Sequence, residues 1–437
     1  MTEPAPEQWP VSRAAFEALA SGRGGRDGQD AIEQLAAAQR RKHVVLLAQV
    51  VEMAGATGHP QRRLAGEGRE LLARALRHDL AAAKQALQHP SVGLWARQTL
   101  LTLRGGGSHP GAEPGGLCAV AAAAAIRARL PAEITVPVRD GRVVLPSLGV
   151  AAVPGPTAVA RWAGGRASVD GVLLPVDPYT DGPGWSGLRR VQAGFPDGAA
   201  FDVLVDDVDP FRFPPGRDDL PGHQALPWVD ILTGGWTVLQ AHHSQAAAEV
   251  AAAVSVITPI AGTPRRPVSA SSPMVFGTVA MSRPADAVSC AETLTHETHH
   301  IKLGALLDFL SLTQPDDGRR YYAPWRTDPR PLAALLQGAY AYLGVSAFWQ
   351  RQRFQPGYRA RGESEFARWR AAAGAAVDTM LACGGLTSAG RDFVSGMKGT
   401  LEPWLRERVD AEALTRAAQD AREHRARWVR EHGPPQP

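Results

Sequence analysis

The sequence predicts an α+β fold that is predominantly α-helical, and three observations carry that expectation. Apolar residues recur at intervals of three and four from Ser12 to about Arg104. Short β-branched runs broken by turn residues fill Glu133 to Arg212, and beyond Ala285 the helical spacing returns for most of the chain. The expected organisation is a helix-rich amino-terminal module over 1–104, a Gly-rich linker over 105–116, a mixed region with a small antiparallel sheet over 117–235, and a helical domain over 236–437.

In chain order, AIEQLAAAQRRKHVVLLAQVVEMA and RELLARALRHDLAAAKQAL each place their apolar residues on one helical face. GGGSHPGAEPGG, residues 105–116, has neither apolar spacing nor helical propensity and reads as a loop or hinge. The alanine-rich stretch from Leu117 to Ile126 reads as a short helix. EITVPV, RVVLPSLGV, TAVARW, ASVDGVLLPV and FDVLVDDV then read as short strands of an antiparallel sheet, with RDGR as a turn. After the Pro-rich passage FRFPPGRDDLPGHQALPW, Trp236 to Ile257 has helical spacing, VFGTVAM from Val275 reads as a strand, and the terminal EHGPPQP as a frayed tail.

Composition excludes several classes. With 44% apolar and 21% charged residues of interspersed sign in 437, wholesale disorder is not expected. The longest unbroken apolar run is the ten residues Leu117 to Ile126, whereas a spanning helix needs about 20, so no membrane crossing is expected. The opening MTEPAPEQWP has neither the basic nor the apolar segment of a secretory leader, and a cytoplasmic location is the expectation. Cys118, Cys290 and Cys383 are too widely spaced for a disulfide framework, a zinc knuckle or an iron-sulfur cradle, and read as small buried apolar residues. Arginine supplies all but four of the 47 basic residues while the formal charge is only +4. Clusters such as Arg40, Arg41, Lys42 and Arg422, Arg425, Arg427, Arg430 read as solvated faces rather than a nucleic-acid surface. Arginine forks still suit acidic ligands.

Chemistry is concentrated in AETLTHETHHIKLGALLDFL, where His296, Glu297 and His300 spell HExxH. The window is free of proline, and Leu294, Ile301, Leu303, Leu306, Leu307 and Leu310 give it helical spacing. On a helix the two histidines project from one face about 6 Å apart, able to grip one divalent ion. Glu297, offset around the axis, can reach a metal-bound water. His299 points away and is expected to be exposed or to orient a ligand from outside the coordination sphere. Glu292, one turn before His296, is expected in that orienting role too.

The third ligand stays open. A metzincin would carry a histidine at the position of Leu306, which excludes that class, and Asp308 lies too far along the helix. PLAALLQGAYAYLGVSAFWQ, the following helix, contains no acid, so Gln337, His242 and His243 remain as candidates. A second concentration, YYAPWRTDPRP, brings Tyr321, Tyr322 and Trp325 together with Arg326 and Arg330, whose planar forks suit the carboxylate of an anionic cosubstrate.

These blocks, AETLTHETHHIKLGALLD and YYAPWRTDPRPLAALLQGAYAYLGV, with VFGTVAMSRP and VLVDDVDPFR upstream, resemble the HEXXH-motif peptide-modification proteins that accompany or are fused to radical SAM maturases in clusters for ribosomally made, modified peptides. The resemblance runs from about Leu117 to the end and is strongest from Ser272 to Trp349. It implies an iron(II)- and 2-oxoglutarate-dependent dioxygenase that hydroxylates the β-carbon of a residue in a precursor peptide, with that peptide and a radical SAM maturase as partners. His296 and His300 fall on the family's metal-binding histidines, Glu297 on its intervening glutamate, and Arg326 within its APWR block. A site that must admit a keto acid and oxygen needs few protein ligands, which suits the missing third acid. The rival expectation is a zinc peptidase or amidase with Glu297 as general base. A second rival is a catalytically inactive protein that docks the peptide for a maturase.

Overall fold

The computed structural model describes residues 11–22, 26–107, 109–194, 199–214, 228–262 and 267–434. The opening MTEPAPEQWP, most of the Pro-rich passage and the last three residues of the expected frayed tail lie outside the described residues.

The architecture is α+β and mostly helical. The amino-terminal helices are α1 (Arg13–Ser21), α2 (Arg26–Ala56), α3 (Arg62–His78), α4 (Leu80–Leu87) and α5 (Pro90–Leu103). Local chemistry sets their ends. Ser12 caps α1 by accepting from Ala15 N, Gly22 closes it with φ 58°, Asp79 caps α4 by accepting from Ala82 N, and Pro90 opens α5. The carboxyl end of the Gly-rich segment is pinned to the helices before it. Gly115 N donates to Gln61 Oε1 at 2.8 Å, and a Cβ on Gly116 would meet the Trp95 ring at 2.5 Å. The alanine-rich run then forms α6 (Leu117–Arg127), whose small side chains let α3 and α4 pack closely on it.

Two antiparallel sheets follow. One orders β1 (Ala132–Pro137), β4 (Thr157–Ala163), β5 (Arg166–Val169) and β6 (Val172–Leu173); the other orders β2 (Arg142–Leu145), β3 (Gly149–Ala152) and β7 (Trp185–Gly187). Asp170-Gly171, at φ 46° and 86°, forms the two-residue turn that pairs Val169 with Val172.

The third sheet departs from the antiparallel expectation. It comprises β8 (Arg189–Ala193), β9 (Phe201–Val205), β10 (Val256–Pro259), β11 (Ser269–Ala270) and β12 (Thr278–Met281), and β10 runs parallel to both β9 and β12. Between β9 and β10 lie α7 (Trp228–His242) and α8 (Ser244–Ala253), the helical crossover that parallel strands require. The segment read as one helix from Trp236 to Ile257 therefore breaks at His243 and ends as a strand, and helix begins at Trp228, before the expected boundary at 236.

The rest is helical: α9 (Ala287–Leu307), α10 (Leu332–Gln352), α11 (Arg359–Ala382), α12 (Ser388–Arg406) and α13 (Ala411–His432). By length and composition α10 could cross a membrane, yet it lies against α9 and α11 with Leu335, Leu336, Tyr340 and Trp349 fully buried. Among the described residues the buried apolar side chains gather into three cores. One joins Phe16 and Leu19 of α1 to Phe393 and Met397 of α12; another joins Ile32 of α2 to β9, α7, α9 and α10. All three cysteines are buried and unbridged.

Candidate metal centre

Asp286 caps α9 by accepting from Ser289 N at 2.7 Å, and the helix runs unbroken through the HExxH residues. One turn apart, the rings of His296 and His300 stand 4.8 Å between centroids at 73°. His300 Nδ1 donates to Gln337 Oε1 of α10 at 3.1 Å, which leaves Nε2 with its lone pair free for a metal. Burial, with His300 alongside, holds His296 well below the ordinary imidazole range, which favours its neutral form. Glu297 is 1% exposed; its Oε1 lies 3.9 Å from His296 Nε2 and its Oε2 has no hydrogen-bond partner. A buried carboxylate oxygen without a donor calls for a cation or a bound water beside it.

These groups open into a cavity of about 790 Å³ lined also by Trp325, Arg326, Arg330, Gln337 and Tyr342. Asp328 accepts from Arg326 Nε and from Arg330 Nη1, each at 2.8 Å, and the two guanidinium groups hold its carboxyl at about 2. One carboxylate cannot neutralise two guanidiniums, so the cavity mouth carries surplus positive charge and unused donors. Tyr342 stacks on Trp369 at 4.0 Å and stands edge-on to His296 at 5.2 Å; burial pushes its phenol up to about 12, so it presents a neutral aromatic wall.

Sequence and structure part at several positions. Gln337, a candidate third ligand, has its oxygen engaged by His300. Glu292 meets Trp349 Nε1 at 2.9 Å and Arg361 at 3.5 Å, and among the described residues it bonds to no imidazole; burial pushes its carboxyl up to about 7. It ties α9 to α10 instead of orienting a ligand. His299 is buried, against the expectation of exposure, because α9 is covered on that face as well: its Nδ1 meets Thr295 O at 2.9 Å and its ring packs on Tyr340. Burial and Lys302 hold it well below the usual imidazole range. His243 pairs with Gln352 at 2.8 Å and lines, with His299, a different cavity behind α9, while His242 lines neither cavity. Asp308 is taken by Gln39 and Lys42 of α2.

Among the described residues, no His, Cys, Asp or Glu completes a trio with His296 and His300 whose ligating atoms all lie within 4.8 Å of one another. Sequence reasoning also missed Tyr342 and Asp328; Asp328 was available from its place between the two arginines. In comparisons with protein-family profiles and with curated proteins nothing matches the chain.

Proposed function

We propose that the chain is an iron(II)- and 2-oxoglutarate-dependent hydroxylase acting at a β-carbon of a ribosomally made precursor peptide, of the HExxH peptide-modification kind. The observation that carries this reading is the meeting, in one cavity, of two imidazoles that no further His, Cys, Asp or Glu among the described residues completes into a ligand trio, and two arginines sharing one carboxylate. The donor set fits the ion: His296 and His300 would hold it, and Glu297, whose Oε2 has no hydrogen-bond partner, lines the same cavity. When bound, iron and the keto acid would supply the chemistry that uses dioxygen to convert C–H to C–OH, one oxygen atom entering the peptide and the other the succinate left as the keto acid loses carbon dioxide.

The chain's own groups bind and orient. Gln337 keeps the proton of His300 on Nδ1. Arg326 and Arg330 offer paired N–H donors to the remote carboxylate of the cosubstrate. Tyr342 and Trp325 shed water from one wall and give the peptide an aromatic surface. Unbridged thiols fit the reducing cytoplasm where such peptides are made, and a radical SAM maturase acting on the same peptide is the expected companion.

The same Glu297 oxygen favours one rival, zinc-dependent hydrolysis with Glu297 as general base. Incubation with iron(II), 2-oxoglutarate and a precursor peptide encoded beside the gene separates the two. Succinate with a gain of one oxygen in the peptide is expected; peptide cleavage under zinc, with no succinate, overturns the proposal.

A further inference from the structure

His89 precedes α5, and Asp206 and Asp209 lie in the VLVDDVDPFR turn that follows β9. All three are buried, at 4%, 0% and 4% exposure. Asp206 Oδ1 accepts from Val208 N and Asp209 N at 3.1 and 2.9 Å, and Asp209 Oδ1 from Phe211 N at 2.8 Å. Ser91 Oγ lies 2.8 Å from His89 Nδ1 and also bonds to the Asp209 carboxylate. A hydroxyl has one proton and a carboxylate only accepts, so Ser91 donates to Asp209 and takes the Nδ1 proton of His89. His89 Nε2 is left bare. It faces Asp206 Oδ2 at 3.7 Å, and neither atom has a partner. Of the two arginines whose charges reach this cluster, Arg127 directs its N–H groups to Ser147, Gln85 and Tyr179, and Arg212 donates from Nη1 to the main-chain oxygen of Asp209, its buried Nε having no partner.

We propose that His89, Asp206 and Asp209 form a second metal site, separate from the HExxH cavity, for a divalent transition ion of the zinc class. Their ligating atoms all lie within 4.8 Å of one another, and tetrahedral zinc at about 2.1 Å from each donor sets neighbouring donors about 3.4 Å apart. The imidazole selects against calcium and magnesium, and two carboxylates balance the charge of the ion. Enclosure makes the role structural. The ion would join the start of α5, in the amino-terminal helices, to the carboxyl end of β9 in the mixed sheet.

The test uses the full chain carrying His296→Ala and His300→Ala, so that the imidazole pair on α9 cannot contribute. After chelator treatment, loading with Zn2+ alone and desalting, elemental analysis is expected to find about one zinc per chain, with a higher melting temperature than in chelator. Asp206→Asn, added to that chain, turns an N–H toward His89 Nε2. It is expected to fold, to melt no lower in chelator, and to retain at least about tenfold less zinc. Zinc-free parent protein, or equal retention after Asp206→Asn, overturns the proposal. Should either variant fail to fold, zinc-edge anomalous scattering from zinc-loaded wild-type crystals decides: a peak between His89 and Asp206 supports the site, and its absence overturns it.

Discussion

Lys302→Met is expected to destabilise the chain by about 3–5 kcal/mol, the cost of stranding one member of a deeply buried ion pair. Lys302 Nζ meets Glu249 Oε2 of α8 at 2.7 Å, with the lysine 1% and the glutamate 4% exposed. The ammonium also sits 5.6 Å from the Tyr340 ring centroid. Methionine keeps most of the stem but leaves the carboxylate without a counter-charge. At about 2 cal/mol/K per residue, a chain of 437 residues has an unfolding entropy of roughly 0.9 kcal/mol/K, so the melting temperature should fall by about 3–5 °C. Removing both charges, with Lys302→Met and Glu249→Leu together, should recover most of the loss, because the desolvation cost goes with the pair. Urea and thermal unfolding of the two single variants, the double variant and the parent measure the cycle. A single variant within about 0.5 kcal/mol of the parent, or a double variant no more stable than Lys302→Met, would refute the view that this pair is a desolvated anchor of the HExxH helix.

Gln337→Leu removes the acceptor from His300 Nδ1 and should weaken iron(II) binding about 10–100-fold, read by titration under anaerobic conditions, while Gln337→Glu should restore it. Arg326→Ala combined with Arg330→Ala should raise KM for 2-oxoglutarate about 10–100-fold, with a smaller effect on KM for the peptide, as steady-state succinate assays would show. Burial raises Glu292 from an unfolded value near 4.5 to about 7, so the folded chain holds a proton there that the unfolded chain has released, and stability falls as pH climbs through that window. Glu292→Gln keeps an acceptor for Trp349 and should gain in melting temperature relative to the parent between pH 5 and 7.5; an unchanged difference across that range contradicts the shift.

What could be read from the chain was what depends on near neighbours. His296 and His300 share a face because they are four residues apart, and Arg326 and Arg330 converge because Asp328 sits between them. What could not be read depends on partners distant in sequence. His299 is buried because α9 is enclosed on more than one side, which a single apolar stripe does not announce. Glu292 turns to Trp349 because α10 crosses there. The parallel pairing of β9, β10 and β12 joins segments on either side of a boundary drawn from composition, and periodicity carries no signal of strand direction. His89, Asp206 and Asp209 have no spacing that marks them as a set, and only the fold brings α5 to the end of β9.

Helix α1 lies against α12. Tyr340 Oη donates to Leu19 O at 2.7 Å, Thr400 Oγ1 donates to Ser21 O at 2.8 Å, and a Cβ on Gly396 would meet Ala20 at 2.8 Å. Helix α1 thus completes its packing only once α10 and α12, more than 300 positions farther along the sequence, are in place. Until then α2 alone can shelter Phe16 and Leu19, so this core closes through contacts of long sequence separation, which form slowly.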